Sequence, residues 1–108
     1  MNFEKFNNLL EVFNYQYKIQ KHDEIFLQSL KNKNSKFTWS QVYELVQRLS
    51  NKLSSVISNG DRCLLISENR PEWLISDLAI MLSNGVTVPA YTTYTERDYD
   101  YLINDCKP

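Results

Sequence analysis

The stretch from Gly60 to Tyr91, GDRCLLISENRPEWLISDLAIMLSNGVTVPAY, constrains the fold more than any other part of the chain. It begins with Arg62–Ser67, a short apolar run without alternation, which is typical of a strand covered on both faces in a parallel sheet. It ends with the β-branched run Val86–Tyr91, in which Pro89 limits regular pairing. About 25 residues separate equivalent points of the two runs, which suits a helical crossover and is too long for a hairpin. The stretch therefore predicts a right-handed β–α–β unit with parallel strands.

The segment between these strands predicts a buried helix. Pro71 suits its first turn, because backbone N–H groups there have no acceptor within the helix and proline lacks this group. Asn69 or Arg70 would be the cap, and Asn69 is the chemically better choice. Residues Trp73–Leu82 are apolar on nearly every side, which is typical of a helix buried all round. An Asn-Gly pair follows, and we expect Gly85 to close the helix in the left-handed conformation.

Hydrophobic spacing and turn residues predict five further elements. The first is a helix over Phe3–Ile19 capped by Asn2, followed by strands Ile25–Leu30 and Lys36–Trp39, which form a hairpin through KNKNS. The next is a helix that runs from the Thr38–Gln41 capping box to Asn59-Gly60 and has one apolar stripe: Val42, Leu45, Val46, Leu49, Leu53, Val56 and Ile57. The last is a helix that begins at Thr95, with Asp98 three positions on, and its inward face is Tyr99, Leu102 and Ile103. The fold class predicted is α/β: a partial parallel sheet with flanking helices, preceded by an N-terminal helix and a short hairpin. With 108 residues, the chain has room for one domain.

Composition excludes several classes of protein. The formal net charge of −1 argues against a nucleic-acid partner, which needs clustered Lys and Arg. The lysines at positions 31, 33 and 36 are interleaved with Asn and Ser, and are read as a solvated turn. Two widely spaced cysteines, Cys63 and Cys106, belong to no CxxC pair; a single disulfide between them is poorly motivated, and we expect a reducing cytoplasm.

No segment of the sequence is long and apolar enough for a transmembrane span, because Asp77, Asn84, Gly85 and Pro89 interrupt the most apolar window. The first helix has an apolar face, which leaves peripheral membrane contact as one interpretation. Its polar face mixes acidic and basic residues, so packing onto protein is favoured over binding to anionic lipid.

No catalytic set can be assembled from the residues. The single histidine, His22, lies in the polar stretch KHDE and is read as a solvated loop residue. No two of His, Cys, Asp and Glu fall at metal-ligand spacing. Glu68 follows a strand at the place where α/β proteins hold ligands, whereas Glu72 and Asp77 fit the polar positions of a helix. We therefore predict no catalytic, cofactor-binding or metal-binding residue in this chain.

A phosphate-binding loop is also absent from the sequence. The turn SENRPEW contains no glycine, although phosphate loops need glycines so that backbone N–H groups can approach the ligand. Arg70 could bind an anion, but a salt bridge with a neighbouring carboxylate is the favoured reading. Trp73 is expected in the core rather than stacked on a ligand. A small nucleotide-binding protein is therefore a weak interpretation.

Three segments of the sequence resemble a known protein family. The segments FTWSQVYELVQRLSNKL, GDRCLLISENRPEWLISDLAIMLSNGVTVPAYTTYT and YLINDCKP resemble the N-terminal region of AMP-forming acyl-CoA synthetases, in the adenylate-forming superfamily. ENRPEW, DLA and NGVTVPAY are most similar to the long-chain fatty acid branch. The resemblance covers residues 37–108, whereas residues 1–36 match only loosely. Phe37–Trp39 with Glu44-Leu45, and Leu82–Pro89, correspond to two structural motifs of that family, with Asn84 where alanine is more usual.

The resemblance implies that the complete protein converts fatty acid and ATP, with Mg²⁺, into acyl-AMP and pyrophosphate, and then transfers the acyl group to coenzyme A. The family's phosphate loop, adenine contacts and C-terminal lysine have no counterpart here, so no catalytic residue carries over. The last helix would normally lead into another strand, so we read the chain as a partial domain: an inactive N-terminal fragment whose partner is the remainder of the synthetase. The alternative is a stand-alone interaction module that self-associates or binds a synthetase through an open sheet edge.

Overall fold

The structure is a computed structural model that describes residues 3–108. Its elements, in chain order, are a 3₁₀ turn Phe3–Lys5, α1 Leu9–Ile19, β1 Ile25–Gln28, β2 Lys36–Thr38, α2 Trp39–Leu53, β3 Arg62–Ile66, α3 Pro71–Leu82, β4 Val86–Ala90 and α4 Glu96–Cys106. They form a mixed α/β fold with two small sheets, one antiparallel (β1–β2) and one parallel (β3–β4). The predicted fold class is confirmed. No helix in residues 3–108 has both the length and the apolar composition needed to cross a bilayer.

The β–α–β unit forms as predicted. β3 and β4 pair in parallel, with Arg62 opposite Val86 and Ile66 opposite Ala90. Each strand is one residue shorter than its apolar run. The covering of β3 is thinner than expected: its three central residues are half-buried and Ile66 is 47% exposed. The sheet therefore has less of its surface covered than the apolar sequence predicts.

The ends of α3 correct two predictions. Arg70, not Asn69, is the N-cap residue, and its side chain makes no capping hydrogen bond, while Pro71 occupies the first turn as expected. At the other end Asn84, not Gly85, adopts the left-handed conformation, with φ of 61°. The Asn84 N–H donates to the carbonyl of Met81 (3.0 Å) and the Gly85 N–H donates to that of Ile80 (2.9 Å). This is the Schellman arrangement, which satisfies the last carbonyl groups of the helix.

The first helix begins later than predicted. Asn8 is the N-cap of α1, and its side chain accepts a hydrogen bond from the Glu11 N–H at 2.9 Å. The predicted cap Asn2 lies outside the described residues. Phe13 is buried against α2 and α3, so the helix packs on the protein's own body. Leu9 and Ile19 remain more than half exposed.

Helix α2 has the predicted start and a different end. Thr38 and Gln41 form the capping box, with hydrogen bonds of 3.1 and 2.9 Å in the two directions. The helix stops at Leu53, well before Asn59-Gly60. The Ser55 hydroxyl donates to the carbonyl of Lys52 at 2.7 Å, and serines that bond locally to the backbone compete with helix propagation. The following residues form turns, which leave Val56 75% exposed.

The core lies where α1, α2 and α3 meet. Its buried apolar side chains are Phe13, Val42, Val46, Ile75, Leu78 and Ala79. A buried hydrogen bond of 2.9 Å between the hydroxyls of Ser50 and Ser83 also joins α2 to α3. The hairpin packs beside this core, with Phe26 stacked on Trp39 at 3.8 Å between ring centroids. β1 ends at Gln28, and Leu30 is fully exposed instead of forming part of the strand.

Helix α4 buries little of its surface against the rest of the fold. Its capping box, Thr95 with Asp98, forms as predicted. None of its residues is buried; Tyr99 and Leu102 are half-buried, whereas Ile103, predicted to face inward, is 45% exposed. An amphipathic pattern sets which residues share a face, but here little protein lies against that face.

Candidate functional site

A concavity lies at the carboxyl ends of the two parallel strands. It has a volume of about 560 Å³. Its lining comes from the turn after β3, from α3, from the last two residues of β4 and from the segment after β4: Ser67, Glu68, Asn69, Trp73, Pro89, Ala90, Tyr91, Thr92, Thr93 and Tyr94. Ligands of open α/β sheets bind at this end of the strands, and the volume falls in the range of small-molecule sites. We call it the strand-end cleft.

One side of the strand-end cleft is aromatic. Tyr91 and Tyr94 meet edge to face, with ring centroids 5.5 Å apart. Tyr99 of α4 lies behind them, 5.7 Å from Tyr94, and its hydroxyl donates to the carbonyl of Tyr91. These tyrosines were not among the site residues predicted from the sequence. The run YTTYT could have predicted them, because it follows β4 directly, as the turn with Glu68 follows β3, and the ends of parallel strands meet at one edge of a sheet.

The other side of the cleft is polar and weakly acidic. Glu68 lies where the sequence predicted, after β3, and its carboxylate is 3.4 Å from the ammonium group of Lys31. Both side chains are mostly exposed, so the pair contributes little to stability. The Ser67 hydroxyl donates to the carbonyl of Glu68 at 2.9 Å. Trp73, predicted to fill the core, lines the cleft and is half-buried.

Arg70 makes the predicted salt bridge. Its Nε donates to a carboxylate oxygen of Glu72 at 2.8 Å. This hydrogen bond lowers the pKa of Glu72 below its ordinary value, and a backbone hydrogen bond acts in the same direction. The same partner raises the pKa of Arg70. Arg70 does not line the strand-end cleft.

The remaining candidate residues lie apart from the strand-end cleft. His22 is exposed, stacks on Tyr17 at 4.1 Å and has its Nε2 2.9 Å from the Tyr17 carbonyl oxygen. Both cysteines are free and half-buried. Burial, helped by the charge of Asp61, raises the pKa of the Cys63 thiol, so this thiol is a poor nucleophile at neutral pH.

The chemistry available in the strand-end cleft is limited to contact and hydrogen bonding. It holds aromatic faces, hydroxyls, an amide and one carboxylate, but no residue pair able to act as nucleophile and base. No Lys or Arg is among its lining residues and its β3 turn has no glycine, so the lining does not fit a triphosphate. Within residues 3–108, no group of three His, Cys, Asp or Glu is placed to hold a metal ion. The strand-end cleft therefore presents aromatic contact surface and hydrogen-bonding groups, with Glu68 as its one carboxylate.

Comparison with known proteins gives consistent matches. Residues 15–108 match the family described as AMP-binding enzyme. Fatty acyl-CoA synthetase A of Dictyostelium discoideum is 32% identical over 76 residues, which is 67% of this chain and 11% of that protein. Long chain acyl-CoA synthetase 4 of Arabidopsis thaliana is 32% identical over 68 residues, or 62% of this chain and 10% of that protein. The chain thus spans about a tenth of the length of these relatives.

The fold is also that of known structures. The N-terminal subdomain of NpsA from Klebsiella oxytoca superposes with a TM-score of 0.81 at 21% sequence identity. The superposition covers 94% of this chain and 26% of that one. At this identity the match establishes the fold alone.

Proposed function

Because this chain belongs to the family of AMP-binding enzymes, we propose that it is the N-terminal part of a long-chain fatty acid–CoA ligase, in which it serves as a scaffold. In the division we propose, the chain is a single partial domain in which residues 1–36 form a variable N-terminal helix and first strand, and residues 37–108 form the family's N-terminal region. The complete enzyme would join fatty acid and ATP, with Mg²⁺, into acyl-AMP and then pass the acyl group to coenzyme A. The relatives named for fatty acyl and long-chain substrates support this choice.

The observation that carries the proposal is an excess of exposed surface. The chain exposes 7837 Å², whereas a compact monomer of 12.8 kDa exposes about 6,300 Å². Its radius of gyration is 15.3 Å, against about 13 Å for a compact domain of this length. A scaffold that packs against further protein has surface of this kind to cover.

The lining of the strand-end cleft supports a scaffolding role rather than a catalytic one. Transfer of phosphate-linked groups depends on positive charge and backbone donors placed around the phosphates. The cleft offers instead the carboxylate of Glu68 and the rings of Tyr91 and Tyr94. The reacting atoms would then be held by residues from elsewhere in the enzyme. The two free cysteines support a reducing compartment, and we propose the cytoplasm.

Complementation tests the proposal. A long-chain ligase lacking its homologous N-terminal region would be mixed with this chain, and palmitate-dependent exchange between ATP and pyrophosphate would be measured. We expect no exchange from either part alone and measurable exchange from the mixture. The control is Leu78→Asp, which places a charge at a fully buried position and should abolish the effect. Exchange catalysed by this chain alone, or no recovery with a folded chain, would contradict the proposal.

A further inference from the structure

The chain has two glycines, and each of them follows a Ser-Asn pair, in Ser58-Asn59-Gly60 and Ser83-Asn84-Gly85. The two Asn-Gly pairs lie at the amino-terminal end of the β3–β4 unit, where the Gly60 N–H donates to the carbonyl of Asn84 at 2.8 Å. An asparagine amide followed by glycine is readily attacked by the glycine nitrogen, because glycine has no side chain to obstruct the approach. Both pairs are therefore candidate sites of spontaneous deamidation.

Deamidation is a reaction of the chain with itself that water completes. The backbone nitrogen of the glycine loses its proton and forms a bond to Cγ of the asparagine, and the side-chain nitrogen leaves as ammonia. Water then opens the resulting succinimide ring at either of its carbonyl groups, which gives aspartate or isoaspartate. In isoaspartate the main chain runs through the side chain and is one carbon longer. Because the attack requires a glycine nitrogen released from its hydrogen bond, the free-energy cost of that release governs the rate.

The Asn84-Gly85 pair is protected from this reaction by the closure of α3. The Gly85 N–H donates to the carbonyl of Ile80 at 2.9 Å, and the Asn84 N–H donates to that of Met81 at 3.0 Å. Ile80 is buried, and its side chain and that of Ile57 fill the space beside the Cα of Gly85. Release of the Gly85 nitrogen would therefore open the last turn of a helix that contributes to the core.

The Asn59-Gly60 pair lies in a tight turn between α2 and β3. The Asp61 N–H donates to the carbonyl of Ser58 at 3.0 Å, and the Ser58 N–H donates to the Asp61 carboxylate at 2.7 Å. The acceptor of the Gly60 N–H is the carbonyl of Asn84, an exposed residue. A Cβ on Gly60 would meet no atom of the described chain within 4 Å, so no packed side chain resists the opening of this turn. Opening such a turn costs less free energy than opening a packed helix end.

We propose that Asn59 is a site of spontaneous deamidation in the folded chain, and that the closure of α3 preserves Asn84. The modification acts on the start of the parallel sheet, because the carbonyl of Asp61 accepts the Val86 N–H at 2.8 Å directly before the first strand pair. Isoaspartate at position 59 lengthens the main chain of the turn that places this carbonyl, so it weakens the pairing of β3 with β4. The inference does not rest on the scaffolding role, because it needs only the hydrogen bonds and packing of the described fold.

Peptide mapping by mass spectrometry tests the order of the two reactions. The purified chain is incubated at mildly alkaline pH, in native buffer and in concentrated urea, and both asparagines are followed over time. In urea the two pairs should convert at similar rates, since both are Ser-Asn-Gly in an open chain. In native buffer Asn59 should convert roughly tenfold faster than Asn84. Conversion through global unfolding would affect both pairs equally, so the difference reports the local opening of the turn.

Two variants act as matched controls. Asn59→Gln requires a larger ring for the same attack, so it should prevent conversion at position 59 and leave Asn84 as in the wild type. Ile80→Ala removes atoms packed beside Gly85 and should speed the conversion of Asn84 in native buffer, with circular dichroism confirming that the variant is folded. A wild-type chain in which Asn84 converts as fast as Asn59 in native buffer would overturn the proposal. So would a native chain in which both asparagines persist while the sample in urea converts, or a folded Ile80→Ala chain with unchanged conversion of Asn84.

Discussion

At the scale of single residues, two neighbours share the closure of α3. Asn84 carries the left-handed backbone that the turn requires, and asparagine tolerates this conformation better than most residues. Gly85 is needed for a different reason: a Cβ there would lie 3.0 Å from Cγ2 of Ile80 and 3.1 Å from Cδ1 of Ile57. One position is thus constrained by backbone conformation and the next by packing.

Gly85→Ala is expected to lower the free energy of unfolding by about 1–3 kcal/mol, because the new methyl group overpacks a filled site. Adding Ile57→Val removes Cδ1 and should recover part of the loss. The matched control is Asn84→Gly, which is expected to be nearly neutral since glycine accepts a positive φ. Urea unfolding followed by tryptophan fluorescence measures all four proteins. Equal stability of Gly85→Ala and the wild type would refute the packing argument.

The salt bridge of Glu72 gives a pH dependence. Its pKa is lower in the folded chain than the ordinary value of about 4.3, so its stabilisation is present above that value and is lost as the pH falls through the folded pKa. Because both side chains are about half exposed, we expect Glu72→Gln to cost less than about 1 kcal/mol at neutral pH and nothing at the lowest pH. Carbon-detected NMR titration of the carboxylates checks the direction. A Glu72 pKa at or above the ordinary value would contradict it.

At the scale of elements, α2 and α4 carry the same cap and differ in what surrounds them. Each begins with a threonine whose hydroxyl accepts from the third residue of the helix, whose side chain accepts in return from the threonine N–H. Helix α2 contributes Val42 and Val46 to the core, whereas α4 buries no residue. The same local bond should therefore contribute to global stability in one helix and to local order in the other.

Thr38→Ala is expected to reduce the free energy of unfolding by about 1 kcal/mol, because it removes a cap from a helix that is part of the core. Thr95→Ala should leave the unfolding midpoint nearly unchanged and instead speed amide exchange within residues 96–106. Hydrogen exchange and urea unfolding on the two variants separate these effects. Equal losses of global stability would mean that α4 is integrated into the cooperative unit.

At the scale of the whole molecule, the balance between core and surface decides stability. The buried apolar side chains of the described chain come mainly from three helices, and the parallel sheet contributes Ala90 alone. The surface exceeds that of a compact protein of the same mass. Because the parallel sheet is only partly buried, its apolar side chains contribute little to the free energy of unfolding.

The isolated chain is therefore expected to unfold thermally below about 60 °C, in the lower part of the range for small domains. Raising the protein concentration should increase the midpoint if two copies associate, because association stabilises the folded state by mass action. Differential scanning calorimetry at several concentrations measures both effects. A sharp transition well above that temperature from a monomer would show that the chain is complete in itself as a folding unit.

The sequence alone determined the features encoded within a few residues. The β–α–β unit, the hairpin and both threonine capping boxes were predicted because periodicity and hydrogen bonds between near neighbours specify them. The tertiary structure decided the rest: the end of α2 at Leu53, the exposure of Ile103, and the meeting of Glu68 with Tyr91 and Tyr94 in one cleft. A sequence pattern states which side chains share a face, but only the packed chain determines what lies against that face.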